Sequence, residues 1–305
     1  MPEQRKSRRM LILPILAIVL ISGCLGPSDK ATPGAGVVIN AFDSDFDTVD
    51  SGQRVSFDVR VENTGRRPAE NVIAKISGID PALWQLSPSA APLGRLVPVD
   101  IEQNTPGGAK TARFKGVAQN LQRGSEFTFH PRALVEYDYT TKIVKSIELV
   151  DLDELRRLKL QGRGLNVGTK DTTGGPLSVE IKAADIATSG NDDTFSLSIE
   201  ITNTQWEQGG TLVDSNPGDD RDFPVQMRLR LPSQLSLTNS GAAFDECTSG
   251  AVDLWRGKSA QITCEVRAGS NPNPGSRTTV LVEIELSYKY RAEKEASIRV
   301  LGKGQ

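Results

Sequence analysis

From residue 37 onward the chain is dominated by alternation of apolar and polar positions. Val55, Phe57, Val59 and Val61 alternate with Ser56, Asp58, Arg60 and Glu62, which predicts a strand with one buried face. Val37, Ile39 and Ala41 alternate in the same way, and Val72 to Ile76 reads as a further strand after a turn at Asn63-Thr64-Gly65. Phe127, Phe129, Ala133, Val135, Tyr137 and Tyr139 mark a long strand region. Ile143 to Val150 is expected to pair back onto it through a tight turn at Thr140-Thr141. No helical period of comparable strength appears. The one helix expected is Asp151 to Leu160, with Asp151 as its cap and Glu154 three positions on, and it reads as a connector between domains.

The second half repeats the first. Phe195, Leu197, Ile199 and Ile201 lead into Asn203-Thr204 as Val55, Phe57, Val59 and Val61 lead into Asn63-Thr64, at an offset of 140. Tyr288-Lys289-Tyr290 matches Tyr137-Asp138-Tyr139, and Ser297-Ile298 matches Ser146-Ile147, both at an offset of 151. Two patterns in the same order with an insertion between them argue for duplication over chance likeness of strands. Each copy then holds about seven strands, which predicts an all-β chain of two tandem sandwiches. The expected division is domain 1 over 37–150, a connector with the short helix over 151–176, and domain 2 over 177–301.

Val59-Arg60-Val61-Glu62-Asn63-Thr64-Gly65, followed by Ala69-Glu70-Asn71-Val72, resembles the immunoglobulin-like modules of bacterial and archaeal surface proteins. The likeness covers about 20 residues and implies immunoglobulin-like topology for both copies. The second copy departs from it: Gln205 follows Asn203-Thr204 in place of Gly, and the insertion Gln205 to Asp222 replaces a short turn.

The N-terminus adds an address. Arg5 to Arg9 is basic, Met10 to Ile21 is apolar, and Ser22-Gly23 precedes Cys24, the layout of an export signal over 1–23. The apolar run of 12 residues contains Pro14 and is short for a membrane span, so an uncleaved anchor helix is the weaker alternative. Ile21-Ser22-Gly23-Cys24 resembles the lipobox of prokaryotic lipoproteins, and its Ser-Gly-Cys-Leu-Gly wording is similar to archaeal ones. That resemblance implies a diacylglyceryl group on the Cys24 thiol, an anchor in the membrane and an extracytoplasmic location; two acyl chains suffice for stable anchoring. Residues 24–36 are then a lipidated spacer. Ser7-Arg8-Arg9-Met10-Leu11 also resembles a twin-arginine export motif, and both that route and the general secretory route stay open.

Export changes the reading of the other cysteines. Cys247 and Cys264 enclose 16 residues, and a disulfide between them is expected; a loop of that size contributes about 3 kcal/mol in the chain-entropy model. Ile262, Cys264 and Val266 alternate, which turns Cys264 inward on a strand. A metal site is disfavoured, since the chain's single histidine, His130, lies far away in sequence and reads as a structural residue at a bend before Pro131.

Charge excludes one partner class. Residues 1–23 contribute +3 to a whole-chain −2, leaving −5 for the remainder, with no basic stripe to bind nucleic acid. No hydrolase, P-loop or zincin motif occurs, and no cofactor or enzymatic activity is expected. Gly162-Arg163-Gly164 and Gly174-Gly175 read as hinges. Asp43, Asp45, Asp47 and Asp50 imitate the start of a calcium loop, but Thr48 stands where such a loop needs Gly, so a solvated strand edge is favoured over structural calcium. The acidic run Asp214 to Asp222, with Asp219 and Asp220, poses the same choice.

The candidate contact residues are Trp206, at the base of the insertion, with Asp219 and Asp220 within it, and Trp84 in the first copy. Each tryptophan could anchor a partner or pack beneath its loop. Trp255 is expected in the core near the bridge. The function expected is a structural, adhesive or assembly role at the cell envelope through protein contacts. The alternative is an accessory or ligand-capturing lipoprotein of a transporter, secretion machine or sensor.

Overall fold

Strand-forming alternation becomes strand almost everywhere it occurs. A computed structural model describes residues 34–163, 168–183, 187–188, 194–213, 223–238, 247–248, 250–269 and 277–303, all within one compact unit, Ala31–Gln305. The first half contains β1 (Val37–Ser44), β2 (Thr48–Asp50), β3 (Arg54–Asn63), β4 (Ala69–Ser77), β5 (Ala90–Leu96), β6 (Ala109–Val117), β7 (Glu126–Phe129) and β8 (Arg132–Asp151). Helix α1 (Leu152–Leu160) follows. The second half contains β9 (Lys170–Thr172), β10 (Leu177–Ala183), β11 (Ala187–Thr188), β12 (Thr194–Asn203), β13 (Thr211–Leu212), β14 (Pro224–Arg230), β15 (Leu235–Leu237), β16 (Gly250–Asp253), β17 (Ser259–Ala268), β18 (Arg277–Glu295) and β19 (Ile298–Leu301). The chain is thus mostly β, with one α-helix of more than a turn among the described residues.

The centre is a long antiparallel ribbon. β8 pairs with β18 from Val150↔Arg277 to Arg132↔Glu295, and β7 pairs with β19 in the same register, Phe129↔Ile298 to Glu126↔Leu301. The interruption falls at His130-Pro131, where proline cannot donate to the ladder, as the sequence predicted. At strand rise the ribbon is roughly 80 Å long. It forms the spine of a sheet ordered β16-β14-β18-β8-β4-β5. Two smaller sheets, β1-β3-β6 and β10-β12-β17-β15, supply the other layer. Their inward residues, among them Phe57, Val59, Phe114, Leu197, Ile199 and Val266, are essentially inaccessible and join one continuous apolar core with the ribbon.

The expected turn at Thr140-Thr141 does not exist. β8 runs straight through, and Thr141 is fully buried. Neither threonine offers the positive φ that a two-residue hairpin turn needs, whereas the inward parity of Tyr137, Tyr139, Thr141 and Ile143 continues unbroken. The partner of this region is β18, over a hundred residues away.

The consequence reaches the division at 150 and 177. β19, at the end of the chain, lies between β2 and β7 of the first half, with Val300 opposite Val49 and Phe127. The far end of β8 carries β9 and β11 of the second half. Strands are exchanged across the expected boundary in both directions.

The two halves repeat each other in contacts as well as in sequence. β1 begins at Val37 opposite Asn63, and β10 begins at Leu177 opposite Asn203. Thr64 N and Oγ1 donate to Gly36 O (2.7 and 3.1 Å), and Thr204 N and Oγ1 donate to Pro176 O (2.9 and 3.0 Å). Asn63 Nδ2 donates to the carbonyls of Arg67 and Leu96, Asn203 Nδ2 to those of Gly210 and Gly257. A local two-fold axis passes between Asp138 and Lys289, with Tyr139 opposite Tyr288 and Tyr137 opposite Tyr290.

The helix forms where expected. The Asp151 carboxylate accepts from the Asp153 and Glu154 amides (2.8 and 2.9 Å), and Leu155 and Leu158 are buried. Glu154 is held by Arg157 (2.7 Å) and by Arg277 of β18 (3.0 Å), which pull its carboxyl down to about 2 and fasten the helix to the ribbon.

Candidate functional surfaces

Three places concentrate chemistry. The first is the axis itself. The chain's four tyrosines, Tyr137, Tyr139, Tyr288 and Tyr290, stack as neighbours with centroids 5.9 to 6.2 Å apart. Tyr288 and Thr141 share a hydrogen bond of 2.6 Å, and the Tyr290 hydroxyl donates to Asn203 Oδ1 at 2.7 Å. Burial raises all four, Tyr139 to about 12. Gly175 sits against this stack, where a Cβ would strike Thr141, Tyr139 and Tyr288. The expected hinge at Gly174-Gly175 is therefore a packing requirement: no larger residue lets β10 start so close to the axis.

The second place is a cleft of about 550 Å³ at the seam between the halves, on the flank of the tyrosine stack. Arg67, Glu70, Asp138, Thr140, Glu285 and Ser287 line it. Asp138 accepts from Asn71 Nδ2 (2.7 Å) and Glu70 pairs with Arg95 (3.1 Å). Close by, Glu136 joins both halves through Lys75 (2.9 Å) and Arg291 (2.7 Å). Burial would raise the Glu136 carboxyl, but the two cations outweigh it and hold it below the ordinary range. A carboxylate so committed is a clamp, not a proton carrier.

The third place is the turn between β16 and β17. Trp255, expected in the core, is 65% exposed. It stands on a tight turn closed by Trp255 N to Ser259 O and Lys258 N to Trp255 O (2.8 and 3.0 Å), with Arg256 at φ 50°. The Arg256 guanidinium lies 4.6 Å from the Trp255 ring centroid. Lys258 Nζ lies 4.9 Å from the ring of Trp206, which sits on a short 3-10 turn, Trp206–Gln208. A Cβ on Gly257 would touch both Trp206 and Phe223, so the turn, the 3-10 segment and the start of β14 converge. Trp206 is one-third exposed, so it packs and presents a face at once.

Trp84 is a different case. It has no exposed surface and is packed against Phe57 and Phe129, at 6.0 and 5.1 Å between centroids. As a contact residue it is ruled out, and Leu83 occupies the exposed position beside it. The aromatic partners of Trp84 come from β3 and β7, distant in sequence. Nothing local to Pro81–Gln85 could have revealed them. Trp255 went the opposite way for a readable reason: Arg-Gly-Lys after it is turn chemistry.

Cys247 and Cys264 are joined, with Cα atoms 5.8 Å apart, and Ile262, Cys264 and Val266 all face inward as their alternation required. His130 is at the bend, exposed, with Nδ1 3.2 Å from Glu295. Asp45 accepts from the Ser56 amide, and Asp58 is taken up bidentately by Arg113 (2.7 Å for both bonds), which lowers its carboxyl. Asp43 and Asp45 line a smaller cleft with Arg60 and Arg113. No group of three or more candidate metal ligands occurs among the described residues. Cys24, Asp219 and Asp220 lie outside the described residues.

Neither a protein-family model nor a curated protein matches the chain. Among solved structures, Salmonella alpha-2-macroglobulin reacted with methylamine aligns at 11% identity over 90% of this chain, with a TM-score of 0.21. The chain spans 18% of that protein's length. The Enterococcus faecalis MSCRAMM ACE, described as binding its ligands by the collagen Hug model, aligns at 7% identity over 87% of this chain and 95% of its own, with a TM-score of 0.13.

Proposed function

We propose that the chain is a lipid-anchored extracytoplasmic protein whose two immunoglobulin-like sandwiches make protein contacts in a structural, adhesive or assembly role at the cell envelope. The anchor rests on Ile21-Ser22-Gly23-Cys24 behind its apolar run. The contact role rests on one observation, the exposed Trp255 beside one-third-exposed Trp206 on a tight turn, since preorganised aromatic side chains are effective interface anchors. On this reading the protein is not an enzyme: among the described residues the buried acids Glu136 and Glu154 are both held in ion pairs.

Crosslinking on intact cells tests the contact role. Crosslinks from the Trp206 and Trp255 region to surface-layer, filament or other envelope proteins support it. The seam cleft favours the second reading, an accessory or capture protein. Crosslinks concentrated at Arg67 and Glu285 and leading to a permease or secretion subunit would establish that reading instead. The anchor has its own test. Cys24→Ser should move the protein from the membrane to the soluble fraction with its denaturation midpoint unchanged. A variant that stays with the membrane through a high-salt wash, which strips peripheral contacts, disproves lipidation.

A further inference from the structure

The place where the described chain begins has neighbours that the anchor would bring close to a bilayer. Gly34 N donates to Thr64 O (3.0 Å), and the next residue, Gly65, accepts from Val99 N (2.9 Å). Val99 leads into a loop bridged at Asp100 and Thr105, with Ile101 at its tip. Val97 and Ile101 in this stretch are 55% and 58% exposed. On the other side, Gly34 lies against Gly174, two residues before Pro176. Pro176 O holds Thr204, and Trp206 follows two residues later. One exposed apolar tip in each half thus adjoins the segments that hold the first described residue: Val97 with Ile101 in the β5–β6 loop, and Trp206 with Trp255, whose β16–β17 turn is the counterpart of that loop, since Asn63 N donates to Gly108 O as Asn203 N does to Lys258 O. The second carries Arg256 and Lys258 against its rings.

Ten peptide units separate Cys24 from Gly34, a reach of at most about 35 Å in any conformation. A diacyl chain on Cys24 thus confines this end of the molecule to the neighbourhood of the lipid surface. Tryptophan favours the headgroup region, where its ring is half-immersed and its N–H stays wet. A Lys or Arg near an anionic leaflet adds attraction. The charged head of each cation already lies over a tryptophan ring, so ring and charge meet the interface together.

We propose that the Trp206–Trp255–Arg256–Lys258 cluster, assisted by Val97 and Ile101, is a second membrane contact, docking on a bilayer surface that contains anionic lipid. The protein then stands with its two-fold axis end against the membrane. The two uses of this turn exclude one another: seated on lipid it is closed to a protein partner, and crosslinks from it to an envelope protein on intact cells count against the bilayer contact. The inference rests on the proposed anchoring at Cys24 for its geometry, but its chemistry can be measured without the anchor.

The test uses residues 25–305, which include the whole compact unit, and vesicles of phosphatidylcholine and phosphatidylglycerol in a three-to-one ratio. At about 2 mM lipid and low salt the wild-type chain is expected to co-sediment measurably, because two interfacial aromatics and two cations give weak but real partition. Trp206→Ser with Trp255→Ser should lower the partition coefficient about tenfold or more, and Arg256→Ser with Lys258→Ser should lower it several-fold. Circular dichroism and the denaturation midpoint of each variant control for folding. Absence of wild-type binding overturns the proposal, and so does binding that both paired variants retain. Retention by envelope polysaccharide or a protein with no vesicle binding overturns it too. If vesicle binding holds while Cys24→Ser combined with Trp206→Ser and Trp255→Ser leaves the protein on cell membranes, the anchor reading fails and the surface contact stands. Release by Cys24→Ser with no vesicle binding has the opposite meaning.

Discussion

All four tyrosines of the chain lie at one spot, and burial raises every one of them, with Tyr139 at about 12. An unfolded tyrosine titrates near 10, so the unfolded chain loses these protons before the folded chain does. The stability they confer is complete below about pH 10 and drains away as pH climbs from there through 12 and beyond. Phenolate absorbance near 295 nm should therefore stay almost flat past pH 10. It should then rise in one step together with the loss of near-UV circular dichroism. A full rise centred near pH 10 with the dichroism intact would place the tyrosines at the surface and refute the central stack. The pairs Tyr137-Asp138-Tyr139 and Tyr288-Lys289-Tyr290 were legible as a repeat, but their meeting was not. Their spacing of 151 says nothing of whether two copies touch. The tryptophans teach the complementary lesson: an isolated aromatic residue carries no burial signal unless its flanks are turn chemistry, as Arg256-Gly257 after Trp255 are.

At the level of elements, alternation was a sound guide to existence and a poor one to ends. β3 and β12 appear where the pattern placed them, and α1 forms behind its Asp151 cap. The expected turn at Thr140-Thr141 is absent because the inward parity runs unbroken through Thr141 and Ile143, carrying β8 well past the length of an ordinary strand. β19 shows how much a short strand can matter. Ile298 and Val300 are buried between β2 and β7. Ending the chain at Ala296 should cost roughly 3–6 kcal/mol, the burial value of two β-branched side chains, before lost ladder hydrogen bonds are added. Denaturant unfolding measures the total. Hydrogen exchange should show the first acceleration in Thr48–Asp50 and Glu126–Phe129, in the half of the sequence farthest from the cut. A shift below about 1 kcal/mol would mean that β19 is a loosely attached edge.

The whole molecule inverts the expectation of beads on a string. A tandem pair would fold as two units, each complete when its own segment leaves the ribosome or export channel. Here the first half lacks β19 until that strand itself is made, and the far end of β8 is an apolar strand whose neighbours belong to the second half. Ile143, Ile147, Leu149 and Val150 are buried against β18 and the elements beyond it. Left alone they would form an exposed hydrophobic edge, a template for association with another chain. Fragments 25–163 and 164–305 should accordingly give no cooperative monomeric unfolding transition when made separately. Mixed at equal concentration they should assemble one-to-one and regain the tyrosine near-UV signal, because the two-fold ribbon can form between chains as well as within one. Size-exclusion chromatography with light scattering follows the assembly. A monomeric fragment 25–163 that melts cooperatively with Tyr137 and Tyr139 protected from titration would show that the exchanged strands decorate an independent domain. If assembly occurs as expected, folding must wait until β18 and β19 have been made, and ribbon closure becomes the step that commits both halves together.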